Sequence, residues 1–349
     1  MRVAVIPGDG VGREVIESGL AVLSAVATLE IEELPWGSDF YQRHGRMMPP
    51  NALDTLASCD AIYLGAVGWP TVPDHITLWG MLLPIRQAFQ LYVNLRPVSL
   101  LPGISSPLAD CGPHDLDMLF IRENSEGEYT GAGGRVHTGE PHEVAVEVSV
   151  FTKVGVERVA RYAFEQARQR RRRLISVTKS NASRFGYVLW DDLVAKIGSG
   201  EFPEVTIERV HVDAMAARMV LRPKSVDVVV GSNLFGDILT DLGAALQGSL
   251  GLAASANLDP TRQHPSMFEP VHGSAPDIAG LGKANPLGAI LTGALMLRHL
   301  GLAKAADGID SAVAEVTSTG DFLTQDLGGV ASTNEVTQAV LEALRRHRP

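Results

Sequence analysis

Two spacings of apolar residues alternate along the chain, and their order predicts the architecture. Apolar runs at residues 3–6, 61–66 and 226–230 have the length and bounding turns of buried strands, and 117–121, 174–178 and 205–210 read as further strands. Between them, apolar residues return every three or four positions. The clearest case covers residues 153–168, where Val156, Val159, Ala160, Ala163, Phe164 and Ala167 form one helical stripe. Further helices are predicted up to about Ala27, from Leu78 to about Tyr92, through Ile197, and from Asp237 onward. Strands alternating with helices imply parallel βαβ units, which gather ligand groups at strand ends. One stretch departs from this pattern. Residues 143–150, EVAVEVSV, alternate strictly, predicting a strand with one covered face in an antiparallel ribbon or a dimer-forming arm.

Composition narrows the class. With 349 residues, 45% of them hydrophobic, the chain has material for a large core and about two domains. A net charge of −10 argues against nucleic-acid or anionic-membrane partners. Cys59 and Cys111 stand far apart, without metal-type spacing, so no disulfide framework is expected. The apolar stretch 287–297 is too short to span a bilayer and ends at Arg298-His299. The first residues already read as strand and turn, with no secretory leader, so a cytoplasmic location is expected.

Candidate chemistry centres on residues 231–243, GSNLFGDILTDLG. Asp237 and Asp241 lie four apart, so on a helix both carboxylates share a face. Two hard oxygen ligands past a strand suit Mg²⁺ or Mn²⁺; the plainer alternative is Asp237 as a helix cap with Asp241 at the positive dipole end. Lys179, Asp213 and Asp237 occupy equivalent places, just past successive strands. Arg86, Arg96 and Arg122 fall at element ends, where guanidinium forks could clamp a dicarboxylate or simply form surface ion pairs. The turn PGDGVG at 7–12 lacks the G-x-G-x-x-G spacing of a dinucleotide loop. The basic run 170–173 reads as a solvated helix end, and the basic terminus 345–348 as frayed and solvated.

Several stretches together resemble the metal-dependent β-decarboxylating dehydrogenases, the isocitrate/isopropylmalate dehydrogenase family, and within it the D-malate/tartrate dehydrogenase branch. They are GDGVG at 8–12, NLRPV at 94–98, RENSEGEYTG at 122–131, TKSN at 178–181, SNLFGDILTDLG at 232–243 and EPVHGSAPDIAG at 269–280. The resemblance implies an isopropylmalate dehydrogenase-like α/β fold with two domains around a mixed sheet, not a conventional Rossmann fold. Residues 1–97 and 250–349 would form the cofactor domain, and 98–249 the dimerisation and metal/substrate domain. It implies a homodimer whose active sites borrow Lys179 and Asp213 from the partner copy. Asp213, Asp237 and Asp241 would hold Mg²⁺ or Mn²⁺, and Arg86, Arg96 and Arg122 the carboxylates of a hydroxy diacid. Tyr129 and Lys179 would carry the acid/base work. His272, Gly273, Asp277 and Asn285 would hold the adenosine half of the cofactor, with Asp277 favouring NAD by repelling a 2′-phosphate.

Two departures from the family pattern matter. Trp79 stands where isopropylmalate enzymes carry a Glu, and a tryptophan there would close the pocket and leave room only for hydrogen or hydroxyl at C3. That points to oxidative decarboxylation of D-malate or tartrate; the bland alternative is a Trp that merely packs a helix start. A 3-isopropylmalate or isocitrate enzyme is the competing activity, and a noncatalytic binding subunit the competing class. Arg13 replaces a common Pro, which puts the shape of the 8–12 turn in question.

Overall fold

The structure is a computed structural model that describes residues 1–346. The last three residues of the 250–349 segment, with the solvated terminus expected at 347–348, lie outside the described residues. Its strands are β1 (Arg2–Gly8), β2 (Glu30–Glu33), β3 (Ala61–Ala66), β4 (Val93–Ser99), β5 (Asp117–Glu123), β6 (Gly133–Val136), β7 (Val144–Glu147), β8 (Arg173–Thr178), β9 (Thr206–His211), β10 (Val228–Gly231), β11 (Ala256–Leu258) and β12 (Ser266–Phe268). Ten of them make one sheet in the order β2-β1-β3-β12-β11-β4-β5-β10-β8-β9. β2, β1, β3 and β12 run parallel on one side, and β5, β10, β8 and β9 run parallel on the other. Between these halves β11 and β4 run antiparallel to their neighbours, which makes the sheet mixed.

Side-chain alternation explains why the strands read as continuous apolar runs. Val3 and Val5 of β1 enter one core with Val22, Leu23 and Ile290; Ala4 and Ile6 enter another with Trp36, Leu56 and Ile85. Both faces are covered by helices, so neither set of positions turns polar. The helix Leu287–His299 is buried on nearly every side, which accounts for the apolar stretch there. Among the described residues no helix is long and apolar enough to cross a membrane.

Four local expectations are corrected. The helix expected from Asp237 starts at Asn233, after Ser232 leaves the strand, so Asp237 lies in its second turn and caps nothing. The helix expected over 78–92 runs instead as Asp74–Thr77, a wide π turn at Leu78–Leu82, and Leu83–Ala88. Pro84 has no N–H for an ordinary helical bond and crowds the carbonyl four residues back; the wider turn, closed by Leu83 N–H on Leu78 O, relieves that conflict. The alternating stretch pairs β7 with β6 in an antiparallel ribbon, but every residue of both strands is exposed in this single chain. The basic run is more than a solvated end. Arg170 and Arg171 both pair with Asp227, which is 1% exposed, and tie the end of the preceding helix to the start of β10.

Candidate active site

The elements that converge on the site come from distant parts of the chain. Arg122 lies at the end of β5, in register with Gly231 at the end of β10. The helix Asn233–Leu246 follows β10 and carries Asn233, Asp237 and Asp241 on one face. Arg96 projects from β4, and Arg86 from the last turn of Leu83–Ala88. Tyr129 sits in a single helical turn, Glu128–Thr130, framed by Gly127 at φ +74° and Gly131 at φ +71°. Those left-handed values are why glycine flanks the tyrosine.

Three of the predicted groups share one carboxylate. Asp237 Oδ1 accepts from Arg122 Nη1 and from Arg96 Nη2 at 3.3 Å, and its Oδ2 accepts from the Tyr129 hydroxyl at 3.2 Å. Arg96 Nη1 also donates to Thr240 Oγ1 at 2.6 Å and to Asp241 Oδ1 at 3.5 Å. Arg86 donates to Glu269 Oε1 at 2.7 Å. The three arginines, Tyr129 and Asp237 line a cavity of about 250 Å³, with Leu78, Leu82, Glu269 and His272 among its other walls. Arg86 Nε and Arg96 Nε are buried without a hydrogen-bond partner, so two charged donors there remain unsatisfied by protein.

Burial and charge oppose each other at this point. Burial pushes the Asp237 carboxyl upward, but Arg122, Arg96, the Tyr129 hydroxyl and Arg86 outweigh it and hold the group below the usual range. Burial raises Asp241, with Arg96 opposing. Burial lowers both Arg96 and Arg122, with Asp237 opposing in each case. Tyr129 is raised by burial and then by the Asp237 charge, so its hydroxyl keeps its proton at neutral pH.

The other predicted pair is elsewhere. Lys179 and Asp213 follow β8 and β9 and bond to each other, Nζ to Oδ1 at 2.6 Å. Neither lines the arginine cavity. Asp237 and Asp241 supply two hard oxygen donors on one helix face, which fits Mg²⁺ or Mn²⁺ chemistry. Among the described residues, however, no three metal-binding side chains of this chain gather at one place. The donor set of one chain is therefore partial. Trp79 is 42% exposed and does not line the cavity. Its indole lies over Gly131, where a Cβ would fall 2.5 Å from the ring, so it braces the turn that carries Tyr129.

A second cavity, about 500 Å³, abuts the first at His272 and Gly273. Val11, Val15, Leu250 and Ile278 give it apolar walls, and Asn285 and Asp326 a polar end. His272 Nε2 is buried there without a partner, and burial lowers the pKa of its ring, leaving a neutral imidazole. This combination of apolar walls and an unsatisfied polar atom suits a purine nucleoside. Asp277 is exposed and does not line this cavity, whereas Lys283, which the sequence reading passed over, does. Asp326 was also missed. It accepts from Ser249 Oγ, from Asn285 Nδ2 at 3.0 Å and from Thr324 Oγ1 at 2.5 Å, a role with no signature in its own neighbourhood. Arg13 pairs with Asp39, which neutralises the added charge in the 8–12 turn.

Comparison with known proteins follows the same outline. The family described as isocitrate/isopropylmalate dehydrogenase matches residues 2–340. The chain belongs to this family. Similar relatives include an Agrobacterium vitis protein named "Probable tartrate dehydrogenase/decarboxylase TtuC'", 54% identical over 98% of this chain and 97% of that one. The Escherichia coli "D-malate dehydrogenase [decarboxylating]" is 49% identical over 99% of both. The Thermobifida fusca "3-isopropylmalate dehydrogenase" is 50% identical over 96% of this chain and 95% of that one. Among solved structures, the isocitrate dehydrogenase of Methylococcus capsulatus superposes with a TM-score of 0.91, at 34% identity, over 99% of each chain. Oxidative decarboxylation of a hydroxy acid is the activity class to which these names point.

Proposed function

We propose that the protein is an NAD- and divalent-metal-dependent dehydrogenase that oxidatively decarboxylates D-malate, tartrate or both, in the cytoplasm. The observation that carries this reading is the single cavity in which Arg86, Arg96 and Arg122 meet Tyr129 and Asp237. Three buried cations, two of them with an unsatisfied donor, suit a small dianion far better than a neutral ligand.

In this reading residues 1–97 and 250–349 carry the cofactor, with adenosine between His272, Gly273 and Asn285 and the Asp277 carboxylate at the rim. His272 and Gly273 wall both cavities, which supports a nicotinamide reaching the diacid. Residues 98–249 hold the substrate and form the dimer. The exposed β6–β7 ribbon, with Val136, Val144, Val146 and Val148 uncovered, supports a second copy of this chain as its cover. That copy would bring Lys179 and Asp213 to Asp237 and Asp241.

The residues then divide the chemistry. The arginines would hold both carboxylates and fix the orientation of the diacid in the cavity. Lys179 would take the proton of the 2-hydroxyl, and NAD, when bound, would supply the hydride acceptor for C2. The carboxylate on C3 is now β to a carbonyl; it departs as CO₂ and leaves its electron pair on C3. Tyr129, held protonated, delivers a proton there. Mg²⁺ or Mn²⁺, when bound, supplies the Lewis acidity that polarises the hydroxyl and carbonyl oxygen. Trp79, outside the cavity wall, would act on the C3 end only indirectly, by bracing the turn that carries Tyr129.

One observation favours a second reading. Leu78 and Leu82 line the same cavity and would suit an alkyl group at C3, as in 3-isopropylmalate. The deciding measurement is kcat/KM for D-malate, tartrate, 3-isopropylmalate and isocitrate with NAD and Mn²⁺, with product analysis. The expected outcome is preference for D-malate or tartrate. A preference for 3-isopropylmalate would remove Trp79 from the argument, and no turnover at all would favour a noncatalytic binding subunit.

A further inference from the structure

We infer that Asn233 is a positioning residue for the reaction, fixing Arg122 and the Tyr129 loop against a single helical turn; the inference rests on the functional reading above. Asn233 opens the helix Asn233–Leu246 and is 1% exposed. Its Oδ1 accepts from Arg122 Nε at 3.0 Å and from Nη2 at 2.6 Å. A guanidinium is a rigid plane, so tying one edge sets the direction of the other. The remaining nitrogen, Nη1, is thereby aimed at Asp237 in the cavity.

The other end of the same amide reaches the tyrosine. Asn233 Nδ2 donates to Glu126 O at 3.1 Å, three residues before Tyr129. Gly127 lets the loop lie on the helix, since a Cβ there would come 3.3 Å from Asn233 Cβ. Tyr129 then meets Asp237, one turn beyond Asn233. Gly236 completes the seat: a Cβ on it would fall 2.6 Å from Arg122 Cβ, so the arginine stem lies flat on the helix backbone. Residues 233 and 237, four apart, thus each hold both groups, Asn233 reaching the tyrosine through its loop. An amide is suited to this because it accepts and donates at once. Aspartate keeps the acceptor and loses the donor; alanine loses both.

The two variants separate the two contacts. With NAD, Mn²⁺ and whichever of the four diacids the wild type turns over, Asn233→Ala should raise the diacid KM about tenfold and lower kcat about 10²-fold, the order expected for misplaced reacting groups. Asn233→Asp should lower kcat while the diacid KM stays within about threefold, because Arg122 keeps its anchor. The KM for NAD should move less than about twofold in either variant. Combining Asn233→Ala with Tyr129→Phe should leave kcat close to that of Tyr129→Phe alone, since both remove the same proton delivery. If Asn233→Ala does not fold, as judged by circular dichroism and thermal melting, the Asn233→Asp prediction carries the test. Kinetics within about twofold of wild type, a kcat loss that multiplies fully with Tyr129→Phe, or equal losses in diacid and NAD binding would overturn the inference. A wild type that turns over none of the diacids overturns the functional reading itself, whereas an active wild type with an indifferent Asn233→Ala overturns this inference alone.

Discussion

The arginine cavity and the Lys179–Asp213 edge carry equally charged groups in opposite surroundings. Arg96 and Arg122 are nearly dry and share Asp237, whereas Asp213 is largely exposed and pairs with a lysine at the end of the neighbouring strand. A buried guanidinium without a carboxylate would cost several kcal/mol, and each arginine of the first group finds its carboxylate within the chain. A surface pair contributes little and holds its members loosely. The contrast teaches that one charged cluster is preorganised within the chain, while the Lys179–Asp213 end stays exposed; on the proposed function the first binds the diacid and the second meets a partner copy.

The largest expected effect tests whether the two regions join between copies. On the proposed function, Lys179→Met and Asp237→Ala should each lower kcat about 10³-fold or more as pure proteins, since each would remove a group acting in the transition state. Refolded together, they should regain about a quarter of wild-type activity, because half the dimers then contain one intact site. Recovery of nothing would place the two regions in separate functions. Next comes the support beneath the exposed edge. Asp227→Ala leaves Arg170 and Arg171 without their shared buried carboxylate and should destabilise the fold by about 3 kcal/mol, read by urea denaturation. An unchanged midpoint would mean the edge does not depend on that anchor.

A smaller effect concerns the cavity mouth. Trp79→Ala should shift the ratio of kcat/KM for 3-isopropylmalate over D-malate upward by about 10- to 200-fold, the range that one apolar contact commands. An unchanged ratio would leave Trp79 as a brace for Gly131 and nothing more. The smallest effect lies behind the cavity. His299 packs its ring 5.5 Å from Phe268, the last residue of β12 before Glu269. Burial, then Arg262, bring its pKa down to about 4, with Asp259 opposing. The unfolded chain binds this proton near pH 6.5, and the folded one only near 4. Stability should therefore be fully present above about pH 6.5 and decline as pH falls toward 4. Thermal melts of wild type and His299→Gln across that window should converge at low pH; parallel curves would show that His299 does not titrate there.

Local chemistry accounts for what could be read without coordinates. The helix Lys153–Gln169 was expected to within about a residue at each end because its stripe is set by 3.6-residue spacing and capped by Thr152, which accepts from Gly155 N–H. The start at Asn233 was missed by a turn, since Gly236 breaks the apparent helical pattern yet is there to seat Arg122. The π turn at Leu78–Leu82 leaves no mark except Pro84, which reads equally well as a helix start. Lys283 and Asp326 stayed invisible because each acquires its role from residues far away in the chain.

The sequence by itself determined the alternation of strands and helices, the paired aspartates on one face, and a motif set dense enough to assign the family. Those follow from spacing and side-chain type, which act over a few residues. Only the tertiary structure decided that Arg96, Arg122 and Tyr129 share the Asp237 carboxylate, and that Lys179 and Asp213 stand apart from it in this chain. Such meetings depend on strand order across a mixed sheet, where β5 pairs with β10 although about a hundred residues separate them along the chain. No local rule carries that information, because the energy selecting it is the burial of two whole sheet faces at once.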